Sequence, residues 1–118
     1  MLTIDPIELG NPKAHHYILG AIGPRPICFA STIDKKGVAN LAPFSFFNVF
    51  SSNPPIAIFS PARSGRTGKQ KDTYNNVKEI AEVVINLVNY NMVEQMSLAS
   101  SPYGSEIDEF TKSGFTPI

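Results

Sequence analysis

The stretch SGRTGKQKDT, Ser64 to Thr73, gathers two glycines, several basic side chains and hydroxyl groups into one segment, a composition suited to holding a phosphate. A nucleotide loop of the G-x-x-x-x-G-K-[ST] kind wraps its phosphates between widely spaced glycines and holds magnesium with the hydroxyl after the lysine. Here Gly65 and Gly68 are too close for that, Arg63 stands where the first glycine would be, and Gln70 follows Lys69. What remains is Arg63, Arg66, Lys69 and Lys71 as charge-assisted donors, with Asp72 and Thr73 opening a helix whose first N–H groups lack partners. A monophosphate suits such a place. The alternative is an exposed connection whose basic residues serve solubility.

A second stretch, NLAPFSFFNVFSSNPP, sets four phenylalanines among Ser45, Asn48, Ser51, Ser52 and Asn53. It reads either as a core layer or as the wall of a pocket for a flat aromatic ligand. Core filling accounts for some of the rings but not for the polar residues between them. A planar heterocycle with acceptors around its edge would use both.

Other chemistries find little support. Cys28 is the sole cysteine, so neither an internal disulfide nor a cysteine-based zinc site can be completed, which suits a reducing compartment; cytoplasm is the expectation. His15 and His16 read as a surface pair, since no carboxylate or third ligand sits at metal spacing beside them. Neither histidine falls into a triad pattern with a serine or with Cys28, which argues against a hydrolase. Ten basic and ten acidic side chains leave no net charge, whereas a general nucleic-acid binder needs a clustered positive surface. No segment approaches the roughly 18 consecutive apolar residues of a membrane span, and the N-terminus has no secretory pattern.

The elements that must position these residues fit one domain of 118 residues, with 1–22 as a poorly patterned lead-in. PRPICFASTIDKKGVANLA reads as a hairpin of two strands, about Pro26 to Ile33 and Val38 to Ala42, turning at DKKG. Within it Cys28, Ala30 and Thr32 share one face, and Ile27, Phe29 and Ser31 the other. A third strand, Ile56 to Ser60, lies between the double proline and Pro61. Next come a helix with Asp72 or Thr73 as N-cap, a strand from Val83 to Val88, and an amphipathic helix from Asn91. The remainder reads as turns. Four strands do not close a barrel.

PRPICFASTIDKKGVANLAPFSFFNVFSSNPPIAIFS, KDTYNNVKEIAEVVINLV, DEF and SGFTP, in this order from about Gly20 to Pro117, resemble the flavin reductase-like family. Within it they are similar to the flavoredoxin and nitrilotriacetate-monooxygenase-component-B branch. No single piece is specific; the ordered set is.

The resemblance implies a mainly β fold with flanking helices: an FMN-binding split β-barrel of Greek-key type, six-stranded in the family. It is incomplete in this chain, which matches only the family's N-terminal part. It also implies a homodimer that binds FMN and takes a hydride from NADH or NADPH. Carried over by position, Ser31 and Thr32 would meet the ribityl or phosphate part of FMN. Ala42, Pro43, Phe44, Ser45 and Asn48 would line the ring edge, and Lys71, Asp72 and Thr73, helped by Arg63, would hold the phosphate. No catalytic acid or base is required. Two other readings stay open: an FMN-binding electron-transfer module without nicotinamide turnover, and an inactive fragment that dimerises.

Overall fold

An aspartate turn sets the first hairpin. In the computed structural model, which describes residues 1, 3–65 and 67–118, Asp34 Oδ1 accepts hydrogen bonds from the backbone N–H groups of Lys36 and Val38, both at 2.8 Å. Gly37 takes a φ of 85°, open to glycine without the clash a Cβ would bring. The turn joins β1, Cys28–Ile33, to β2, Ala39–Phe44, antiparallel and in register from Cys28 opposite Phe44 to Ile33 opposite Ala39. β2 runs past Pro43, where the sequence suggested a stop at Ala42. It is an edge strand of the sheet β2-β1-β5, and a proline's missing donor is tolerated at an edge. β1 starts at Cys28 rather than Pro26.

The second sheet pairs β3, Phe47–Ser52, with β4, Pro55–Phe59, and its register shifts between Val49 and Ser51. β3 is a strand where the sequence reads as a core layer or a pocket wall; only Phe47 and Ser51 are half-buried, and Val49 and Phe50 are exposed. β5, Val84–Leu87, runs antiparallel to the other side of β1 and is shorter than the expected Val83 to Val88. Among the described residues the two sheets do not close on one another. The architecture is the expected mainly β one with helices and an incomplete barrel.

The helices are α1, Pro6–Leu9; α2, Asn11–Ala21; α3, Asp72–Glu79; α4, Val93–Ala99, entered through a short 3-10 turn at Tyr90–Met92; and α5, Glu109–Ser113. The expected N-cap of α3, Asp72 or Thr73, is corrected: Lys71 holds that position with extended backbone, and Asp72 and Thr73 are already helical. α5 lies in a stretch that the sequence presents as turns. Its signals are conventional: the Asp108 carboxylate accepts from the Phe110 N–H at 2.8 Å, and Gly114 ends the helix at φ 74°. The lead-in is helical too, α1 being capped by Asp5, but neither α1 nor α2 buries a residue.

β1 is covered on both faces, which is why its sequence does not alternate cleanly between apolar and polar. Phe29 and Leu41 pack with Ala99 of α4 and Phe110 of α5, and Phe115 meets the Phe29 ring edge-on at 5.5 Å between centroids. Cys28, Ala30 and Phe44 face the second sheet, where Phe47 and Phe59 complete a smaller cluster. Burying a ring such as Phe29 contributes about 2–3 kcal/mol. The two clusters hold β1 and β2 from opposite sides, and so fix the strand ends at which the polar residues gather.

Candidate functional site

Phe44 ends β2 and is buried, its ring tilted against Phe59 with 5.4 Å between centroids. The Lys71 ammonium lies over that ring, 5.2 Å from its centroid. Lys71 itself is exposed and caps α3 by backbone alone: its carbonyl accepts from the N–H groups of Tyr74 and Asn75, and no side chain caps the first turn. A cation, unsatisfied N–H groups and an aromatic wall therefore converge at one edge. Such a site favours an anion attached to an apolar or aromatic body.

Ser45 is half-buried in the turn between β2 and β3, directly after Phe44. Ala42 and Pro43 are half-buried on β2, opposite Ala30 and Phe29. Asn48 is exposed on β3 and its Oδ1 accepts from the Val49 N–H at 2.8 Å. Ser31 and Thr32 occupy opposite faces of β1: Ser31 sides with Phe29 and Leu41, Thr32 with Ala30 and Asn40.

Ser64, Gly68 and Lys69 are tied together through their backbones. The Ser64 N–H donates to the Lys69 carbonyl at 2.9 Å and the Gly68 N–H to the Ser64 carbonyl at 2.8 Å. Arg63 is exposed and donates from Nη1 to the Gly68 carbonyl at 3.3 Å, which turns its guanidinium toward its own loop. Arg66 lies outside the described residues.

Behind this edge lies a polar network that the sequence did not single out. Asn40 Nδ2 donates to Thr32 Oγ1 at 3.2 Å and to Thr73 Oγ1 at 2.9 Å, and Asn76 Nδ2 donates to Thr32 Oγ1 at 3.1 Å. All four residues are buried, Thr73 to 1% exposure. The Thr32 and Thr73 hydroxyls, candidate ligand contacts by sequence, thus accept bonds inside the protein. A signal existed: Asn40 shares a β-strand face with Thr32 by register, and Asn76 lies one helical turn beyond Thr73.

Asp72 turns to a different environment. With Asp34, Lys36, Asn40, Asn76, Glu106 and Glu109 it lines a cavity of about 370 Å³. Burial pushes the Glu109 carboxyl above its ordinary range; the N–H groups of Glu109 itself and of Leu41 partly offset this, and the charges of Asp72 and Asp108 add to it. The Leu41 N–H donates to Glu109 Oε2 at 3.2 Å, so the carboxylate occupies the outer edge of β2.

Cys28 is fully buried and its thiol is pushed up to about 11, which makes it a core residue rather than a nucleophile. His15 packs edge-on to Phe46, 5.8 Å between centroids. Among the described residues no group of three His, Cys, Asp or Glu side chains could hold a metal ion, and no helix is long and apolar enough to cross a membrane.

Residues 21–118 match the flavin reductase like domain family. A curated protein of Aquifex aeolicus is 43% identical over 111 residues, which cover 93% of this chain and 56% of that protein. The crystal structure of nitrilotriacetate monooxygenase component B from Bacillus cereus superposes with a TM-score of 0.91 at 32% identity, over 100% of this chain and 57% of that one. A flavin-reductase-type structure with a split barrel domain from Shewanella frigidimarina gives 0.74 at 26% identity, over 93% of this chain and 52% of its own. The chain thus spans little more than half the length of these relatives.

Proposed function

The chain belongs to the flavin reductase like domain family, and from that premise we propose that it binds FMN and serves hydride transfer from NADH or NADPH to that flavin. The observation that carries the reading is the Lys71 ammonium over Phe44 at the uncapped start of α3, where a phosphate and a flat ring would find their partners side by side. FMN, when bound, supplies a ring that accepts a hydride from a reduced nicotinamide and passes the electrons on. The protein's part is to bind, orient and place charge.

In this reading Lys71 holds the phosphate together with the backbone N–H groups of Asp72 and Thr73, and Arg63 adds charge from the neighbouring loop. Backbone and side-chain groups of Ala42, Pro43, Phe44, Ser45 and Asn48 run along the ring edge. Donors there would stabilise negative charge gathering on the reduced ring, as preorganised N–H groups do for an oxyanion. Ser31 and Thr32 border the ribityl or phosphate part. Thr32 and Thr73 contribute by backbone and by position, because their hydroxyls are buried and already bonded. The working unit is a homodimer in the cytoplasm.

The test is oxidation of NADH and NADPH by the purified chain with FMN added. Turnover that depends on both the protein and FMN supports the reading. Flavin binding without nicotinamide oxidation would reduce it to an electron-transfer module, and neither binding nor turnover would overturn it.

A further inference from the structure

We infer that Asn40 is the positioning residue for the phosphate end of this site, acting through Thr32 and Thr73 without touching the ligand; the inference rests on the flavin reading above. The Asn40 side-chain amide has two hydrogens to give, and both go to hydroxyls on other elements: Thr32 on β1 and Thr73 on α3. Asn76, one helical turn beyond Thr73 on α3, donates to the same Thr32 oxygen. One buried amide therefore ties β1, β2 and the first turn of α3 together.

The geometry gives this tie a consequence for the ligand. Thr73 comes two residues after Lys71, whose ammonium reaches the Phe44 ring. Phe44 and Asn40 lie on the same strand and the same face, opposite Cys28 and Thr32 of β1. β2 thus receives the start of α3 at Asn40 and the lysine at Phe44. An isolated eight-residue helix has little stability of its own in water, so its first turn stands where its tertiary contacts hold it. The cavity beside Asn40 and Asn76 leaves room for that turn to shift when the tie is cut, without loss of either apolar cluster.

A purely structural amide and a positioning one differ in what they do to ligand selectivity. The affinities of FMN and of riboflavin, which lacks the phosphate, are measured by flavin fluorescence on the full chain and on Asn40→Ala and Asn40→Ser. Circular dichroism reports folding in the same samples. The native chain is expected to prefer FMN. Asn40→Ala is expected to lose at least about tenfold in FMN affinity, the worth of one displaced charge-assisted hydrogen bond, with a clearly smaller loss for riboflavin. Asn40→Ser, which keeps one small donor, should fall between, and it carries the test if the alanine variant does not fold. An unchanged FMN-to-riboflavin ratio in a folded variant overturns the inference. A native chain with no preference for FMN overturns the phosphate reading itself, and the inference with it.

Discussion

Lys71 and Phe44 meet across the junction of α3 and β2, ammonium over ring at 5.2 Å, although they stand 27 positions apart in the chain. The contact joins the only two features in which the sequence suggested ligand chemistry: the basic loop and the phenylalanine-rich strand. The aromatic ring gives the cation a place without neutralising it, and the charge remains available to an anion.

Replacing Lys71 by methionine is therefore expected to weaken FMN binding by about tenfold or more while leaving riboflavin binding nearly unchanged. Stability should change little, by roughly 0.5–1 kcal/mol, the worth of an exposed cation–π contact. Fluorescence titration and a thermal melt check the two halves. Equal losses for both flavins would place the lysine at the ring rather than the phosphate.

Thr32→Val removes the acceptor shared by Asn40 and Asn76 and keeps the side chain's shape in a strand. Two buried amide donors then lose a partner, and the expected cost is about 1–3 kcal/mol by urea denaturation. No loss of stability would mean that water already serves these groups.

Glu109 makes a pH signature. Its folded carboxyl is raised above the ordinary glutamate value, so the folded chain holds this proton more tightly than the unfolded one. The contribution favours folding at low pH, and it is lost as pH rises from the unfolded value through the folded one. Glu109→Gln keeps an acceptor for the Leu41 N–H and has no charge to bury. Stability at neutral pH should rise, and the decline above the ordinary glutamate value should flatten. Urea melts across the mildly acidic range test this, and a variant with an unchanged profile would contradict it.

Cys28 should be silent toward thiol reagents in the folded chain at mildly alkaline pH, because it is fully buried and burial pushes its thiol up to about 11. Labelling is expected only after denaturant is added. Prompt labelling of the native protein would show that the Cys28–Phe44 cluster opens readily.

Much of this was legible from local chemistry. The DKKG turn, the facing of Cys28, Ala30 and Thr32, and the strand-loop-helix order around Lys71 all follow from residue types and spacing. β3 was not legible, because Phe47–Ser52 shows no strand alternation: its register shifts between Val49 and Ser51, and only Phe47 joins an apolar cluster. The end of β2 was misjudged because the tolerance of Pro43 depends on an edge position, a property of the sheet and not of the strand. Asn40 escaped notice for a similar reason: its meaning lies in Thr73, which only the folded chain brings within 2.9 Å.

The central claim is that this chain binds FMN at the Lys71–Phe44 edge. The most direct measurement is the visible absorbance of the purified protein, recorded as isolated and during titration with FMN after removal of free flavin. The account predicts a flavin spectrum that stays with the protein, shifts from that of free FMN, and is diminished in Lys71→Met. A folded, colourless sample that retains no FMN at any concentration would contradict it.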